Sequence, residues 1–168
     1  MKISDTVRVE FGNLLDALLI DKKVDYIAHQ CNCFHAFGKG LAKQIKKKIP
    51  EAYEADLTLT TKGDRGKLGT YSYANNVFNL YGQYRYSNDG GTYTEFDKLK
   101  ESLTSVRNSL IFGLDRDEQK GRIVLGLPWL GCGLGGGKRE DLLKILDEVF
   151  KDYMVDIEVV IYESKRRV

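Results

Sequence analysis

Strands that alternate with helices along the chain predict an α/β fold on a mixed, mainly parallel sheet. Two stretches carry most of that prediction. Residues 123–138 read IVLGLPWLGCGLGGGK: an apolar strand, a proline that ends it, glycines at 131, 133, 135, 136 and 137, and a lysine opening a helix-periodic segment. Residues 24–30, VDYIAHQ, form another strand that runs into CNCFHAFGKG (31–40) and then into a lysine-rich helix. Ligands of such sheets bind beyond the carboxyl ends of the strands, so both loops are expected on one sheet edge, closing on one ligand. Glycines admit close approach, and free N–H groups at a helix N-terminus attract anions, so two such loops suggest a diphosphate with a group on each side.

The elements follow in order. Val7, Val9 and Phe11 alternate with polar residues, which predicts a strand over 6–11. Gly12 and Asn13 turn the chain into a short helix with Leu14, Leu15, Leu18 and Leu19 on one face. After the 31–40 loop a helix is expected from Leu41 to Ile49, a break at Pro50, and a further helix from Glu51 to Leu57. Residues 61–66 are turn-rich. Strands are expected over Leu68–Tyr73 and Val77–Tyr81, then a tyrosine-bearing loop at 82–93. A long helix follows over 94–112, whose start has capping-box spacing at both Thr92/Glu95 and Thr94/Asp97. Residues 115–121 connect to the glycine-loop strand; a helix over 138–150 and a strand at Ile157–Ile161 complete the chain.

Composition narrows the function. The 168 residues suit one domain, residues 1–168, with a full core. A net charge of +2 supplies no global field for nucleic acid, and the basic runs Lys46–Lys48 and Lys165–Arg167 read as solvated faces. No apolar run is long enough for a membrane span, and the N-terminus lacks a secretory signal. Three cysteines argue against a disulfide framework and for the cytoplasm. The 132–138 loop misses two phosphate motifs. No hydroxyl follows Lys138, as a Walker A loop needs, and Cys132 has Lys138 rather than arginine at the phosphatase spacing. His29, Cys31, Cys33 and His35 offer zinc ligand types, but their spacing is tighter than a zinc knuckle and His35 is already in the loop; no metal is expected.

These residues together resemble the macro domain, an ADP-ribose-binding module. VRVEFGNLLDA resembles its first strand and turn, IAHQCNCFHAFGKGLAKQIKKKIPEAY its first ligand loop and helix, IVLGLPWLGCGLGGG its second loop, and VVIYE its last strand. CNC followed by an aromatic and GKG is most similar to the yeast-type ADP-ribose-1''-phosphate phosphatases, and NLYGQY and YTEFDKL to their phage and bacterial relatives. The resemblance implies a three-layer α/β/α fold and a monomer that binds ADP-ribose or ADP-ribose 1''-phosphate without metal or cofactor. ADP-ribosylated macromolecules are further candidate partners.

The resemblance also implies a site map. Asn13 stands where the family has an aspartate that accepts the adenine amino group. Tyr162 matches an aromatic against adenine, or else covers the core as a strand-end tyrosine. Asn32 matches the distal-ribose asparagine, or stabilises a turn. Gly38, Gly40 and Leu41 match the loop that offers backbone N–H groups to the distal ribose and phosphate; Gly131, Cys132, Gly133, Leu134 and Gly135 match the diphosphate loop. Lys39, between Gly38 and Gly40 in the first loop, contacts a terminal phosphate or is simply solvated. Phe37 packs on the distal ribose or plugs the loop. His35, a residue type that titrates near neutrality, is the candidate general acid/base beside Asn32, or else a solvent-exposed loop histidine; Gln83 and Tyr81 are candidates for the distal end. The lysine and aspartate of the branch that removes ADP-ribose from glutamate are replaced by Gly82-Gln83 and Gly135-Gly136. Two readings therefore stand: a 1''-phosphatase, or a module that reads ADP-ribose without chemistry or cleaves another ADP-ribosyl linkage. A third, nucleic-acid or poly(ADP-ribose) binding through Lys46–Lys48 and the 82–93 loop, is disfavoured by the near-neutral charge.

Overall fold

The computed structural model describes residues 1–86, 89, 91–113 and 121–164. Its centre is a sheet of β1 (Val7–Phe11), β2 (Tyr26–Cys31), β3 (Tyr71–Ala74), β4 (Val77–Tyr81), β5 (Ile123–Leu127) and β6 (Ile157–Glu163), in the order β1-β6-β5-β2-β4-β3. Every pairing is parallel except the β3–β4 hairpin. The hairpin turns at Asn75 and Asn76, both left-handed, which asparagine tolerates better than most residues.

Helices cover both faces. One core gathers α4 (Phe96–Asn108) and α5 (Arg139–Phe150) with Ala28, Phe78 and Leu80; the other gathers α1 (Leu14–Leu19), α2 (Gly40–Lys48) and α3 (Pro50–Leu59) with Ile27, Val77 and Tyr81. Strand alternation makes this division, since successive side chains leave opposite faces. Gly126 in β5 shows how closely the layers approach. A Cβ there would lie 2.8 Å from Leu14 Cδ1 and 3.0 Å from Val24 Cγ1, so a larger residue would lift α1 off the sheet.

The predicted elements are present with shifted ends. The expected break is present at Ile49, between α2 and α3, and Pro50 occupies the first turn of α3, where its missing N–H costs nothing. The predicted strand over Leu68–Tyr73 shortens because residues 65–67 form a 3₁₀ turn, capped by Asp64. Neither capping box forms on α4: Glu95 precedes the helix without a side-chain cap bond, and Thr94 turns elsewhere. The helix ends in a π-helical turn over 109–113. Most of the predicted 115–121 connection and the Lys165–Arg167 run lie outside the described residues, whereas Lys46–Lys48 are exposed on α2. No helix among the described residues is long and apolar enough to cross a membrane.

Candidate functional site

Adjacent strands β2 and β5 both end at the same edge of the sheet, and each releases its loop there. Between the loops lies a cavity of about 590 Å³. Its walls include Asn32, Gly38, Lys39, Gly40 and Leu41 from the first loop, and Gly131, Gly133, Leu134 and Gly135 from the second. With Gln83, the structure thus brings together ten of the sixteen residues that the sequence pointed to. Lys39 precedes α2 with an extended backbone and no side-chain cap bond, and no acid occupies the first turn. The first N–H groups of α2 therefore meet no competing side-chain oxygen, and its lysines lie at the far end, where they complement the helix dipole.

The glycines divide into two kinds. A Cβ at Gly38, Gly40 or Gly133 would meet nothing within 4 Å. A Cβ at Gly135 would strike Thr94 Oγ1 at 2.3 Å, at Gly136 the Gly91 carbonyl at 2.6 Å, and at Gly137 the Phe96 ring at 2.5 Å. The later glycines of the second loop are required by packing over residues 91–96; the three open ones face the cavity mouth without a protein neighbour. Gly137→Ala is accordingly expected to cost about 1–3 kcal/mol by overpacking. Urea unfolding measures it, and an unchanged midpoint would mean that Phe96 yields freely.

Six sequence candidates are placed outside the cavity lining. His35, the expected acid/base, is turned away: its Nδ1 is 2.7 Å from Asp56 Oδ2, and its backbone is left-handed at φ 59°. A buried carboxylate outcompetes an open cleft for the imidazole N–H, so His35 serves the loop's shape. Phe37 is buried against His29 and Tyr53, as a plug. Cys132 Sγ donates to the Leu130 carbonyl at 3.3 Å and packs on the core. Asn13 caps α1, its Oδ1 accepting from Asp16 N at 3.0 Å, and Tyr162 lies beside Gly12. Asn32 is on the wall, yet its amide also ties the loop: Oδ1 accepts from Phe34 N at 2.8 Å and Nδ2 donates to the Ala36 carbonyl at 3.0 Å. Gln83 lines the cavity; Tyr81 is buried and donates to Asp56 Oδ1.

Beneath the first loop runs a buried chain of polar side chains: the sequence pointed to a buried, hydrogen-bonded His29 at the end of β2, but not to its partners Asn79, Ser72 and Asp56. Its donors follow from the ends. Tyr81 donates to the Asp56 carboxylate and accepts from Ser72 at 2.7 Å; Asn79 Nδ2 donates to Ser72 Oγ at 2.9 Å; His29 Nε2 donates to Asn79 Oδ1 at 2.7 Å. Burial lowers the His29 pKa to about 4, against smaller raising effects of Asn79 and Asp56, so the ring is neutral at pH 7. Burial also pushes the Cys31 thiol well up, Cys33 up to about 11, and Cys132 upward, so none supplies a thiolate near neutrality. The four zinc-ligand types diverge. Cys31 stays by His29, Cys33 donates to the Gln83 carbonyl at 3.5 Å, and His35 goes to Asp56; no metal-holding cluster occurs among the described residues. Lys39 is the one charged side chain of the lining, and no carboxylate lines it among the described residues.

No protein-family model matches the chain. An uncharacterized 17.5 kDa protein from the tk-vs intergenic region of Enterobacteria phage T4 is 32% identical over 139 residues, which span 82% of this chain and 84% of that one. Among solved structures, the macrodomain of Mycobacterium tuberculosis DarG superposes with a TM-score of 0.71 at 21% identity, covering 95% of this chain and 98% of that chain. The Trypanosoma brucei macrodomain in complex with ADP-ribose superposes with a TM-score of 0.64 at 16% identity, covering 96% of this chain and 64% of that chain. A mainly parallel six-stranded sheet between two helical layers is the architecture shared with these structures. The chain belongs to one family with the phage T4 protein, and its fold is that of the macrodomains.

Proposed function

We propose that the cavity binds ADP-ribose or a derivative of it, with the diphosphate between Gly38–Leu41 and Gly131–Gly135 and the adenine toward Asn13 and Tyr162. The observation that carries this reading is the set of open glycines, Gly38, Gly40 and Gly133, facing one cavity beside the uncapped start of α2. Backbone N–H groups and a helix dipole favour a phosphate there. The ADP-ribose bound to the Trypanosoma brucei macrodomain supports the choice of ligand. Gly133→Ala is expected to weaken ADP-ribose binding about tenfold or more while leaving the thermal midpoint unchanged, because the added methyl occupies ligand space alone. Calorimetric titration reads the first effect and thermal unfolding the second; undiminished affinity would move the diphosphate away from Gly133.

The reaction proposed is removal of the 1'' phosphate from ADP-ribose 1''-phosphate. Phosphoryl transfer depends on positioning and charge stabilisation, which Lys39 and Asn32 on the cavity wall supply. Two observations favour the other reading, a module that recognises ADP-ribose without chemistry: His35 is engaged by Asp56, and no carboxylate lines the cavity among the described residues. A phosphorus NMR time course with ADP-ribose 1''-phosphate in EDTA separates them. Free phosphate with ADP-ribose left behind establishes the phosphatase. Shifted diphosphate signals without free phosphate leave a reader or a hydrolase of another ADP-ribosyl linkage, and unperturbed signals defeat both.

A further inference from the structure

The second glycine-rich loop rests on a bonded scaffold, and its centre is a threonine outside the cavity lining. Thr94 Oγ1 donates to the Gly131 carbonyl at 2.8 Å and accepts from Gln30 Nε2 at 2.9 Å. The second proton of Gln30 Nε2 goes to Gln83 Oε1 at 2.6 Å, and Gln83 Nε2 donates to the Arg85 carbonyl at 3.0 Å. Each donor and acceptor in this series has one assignment, because a carbonyl stands at both ends. Around it, Tyr93 N and Thr94 N both donate to the Gly135 carbonyl, at 2.8 and 3.1 Å, and Gly137 N donates to the Gly131 carbonyl at 2.8 Å. The same two side chains also fill the space that makes glycine obligatory: Thr94 Oγ1 would lie 2.7 Å from a Cβ at Gly131, and Gln30 atoms would lie 3.1 Å from a Cβ at Gly131 and at Gly135. Gln30 comes from the end of β2, Gln83 and Thr94 from the two ends of the 82–94 excursion, which an isolated bridge joins.

We infer that Thr94, with Gln30, is a positioning residue for ligand binding: it holds residues 131–135 in the shape that the proposed diphosphate requires, without touching the ligand itself. The inference rests on the ADP-ribose reading of the cavity. Its physical basis is that a glycine-rich loop loses much backbone entropy on ordering, and a scaffold that orders it beforehand removes that cost from binding.

The test compares Thr94→Val, which keeps the shape and loses both hydrogen bonds, with Thr94→Ser, which keeps the hydroxyl. Two readouts are taken on the full chain. Amide hydrogen exchange over 131–137 without ligand is expected to rise several-fold in Thr94→Val and to stay near wild type in Thr94→Ser. Calorimetric affinity for ADP-ribose is expected to fall about tenfold in Thr94→Val, the effect of one to two net hydrogen bonds, and to recover in Thr94→Ser. Thr94→Ala, which also lies outside the cavity lining and loses the hydroxyl, provides the same comparison should Thr94→Val fail to fold. Wild-type affinity and wild-type loop exchange in a folded Thr94→Val overturn the proposal. If the wild-type protein does not bind ADP-ribose, the ligand reading fails, and the exchange comparison still decides whether Thr94 orders the loop.

Discussion

Asp56→Ala is expected to destabilise the protein by on the order of 3–5 kcal/mol, the cost of removing one partner from a buried, charge-bearing cluster. Asp56 is fully buried on α3. Its Oδ2 accepts from His35, its Oδ1 from Tyr81, and Lys67 Nζ lies 3.9 Å from Oδ1. Lys67 is itself buried, donating to Thr60 Oγ1 at 2.9 Å. Without the carboxylate, the lysine charge, the Tyr81 hydroxyl and the His35 ring lose their common acceptor inside the fold, where an unpaired polar group is most costly. The left-handed backbone of His35 then loses the bond that offsets its strain. Urea unfolding gives the magnitude. A second cycle gives the cause: Lys67→Met in the Asp56→Ala background is expected to recover part of the loss, as relief of an uncompensated charge. Strictly additive losses would show that Lys67 is held by Thr60 alone.

This cluster also shows where the sequence stops being informative. The order of strands and helices, and the meeting of two loops at one edge, follow from local patterns: an apolar run ended by Pro128, an alternating strand at residues 7–11, helical periods after each loop. His35 was legible as a titratable residue in a ligand loop, but its direction is decided by Asp56, 21 residues away on a helix that by pattern should show its acids to solvent. The five glycines after Trp129 were legible as a loop that admits close approach. That Gly136 and Gly137 admit Gly91 and Phe96 rather than a phosphate depends on a segment some 40 residues earlier in the chain. Thr94 illustrates the same limit. Its capping-box spacing is genuine, yet the hydroxyl finds the Gly131 carbonyl, and no local rule anticipates that competitor. Patterns set by neighbours in sequence predict the scaffold; the site depends on contacts that only the packed fold creates.

The second large effect is acid lability through His29. Its ring is fully buried, and burial holds its pKa at about 4 against an ordinary 6.5. Between those values the unfolded chain takes up a proton that the folded protein refuses, so the unfolded state binds more protons and stability rises with pH. The contribution is complete above about pH 6.5, declines as the pH falls, and is lost by about pH 4; the shift corresponds to about 3 kcal/mol. The structural cost of protonation is specific. Nε2 already donates to Asn79, so a second ring proton at Nδ1 would need an acceptor of its own; among the described residues the ring packs against the Cys31 sulfur, 3.8 Å from Nδ1, and the edge of the Phe37 ring. Phe37 plugs the 31–40 loop, so acid opening of this site is expected to reach the loop before the sheet. The chain has two histidines, His29 and His35, so proton NMR can follow each imidazole singly. One ring is expected to titrate well below pH 5, and urea unfolding between pH 7 and 4.5 to show the decline, flattened in His29→Gln. A His29 resonance titrating near 6.5, or an equal decline in His29→Gln, would place the acid sensitivity elsewhere.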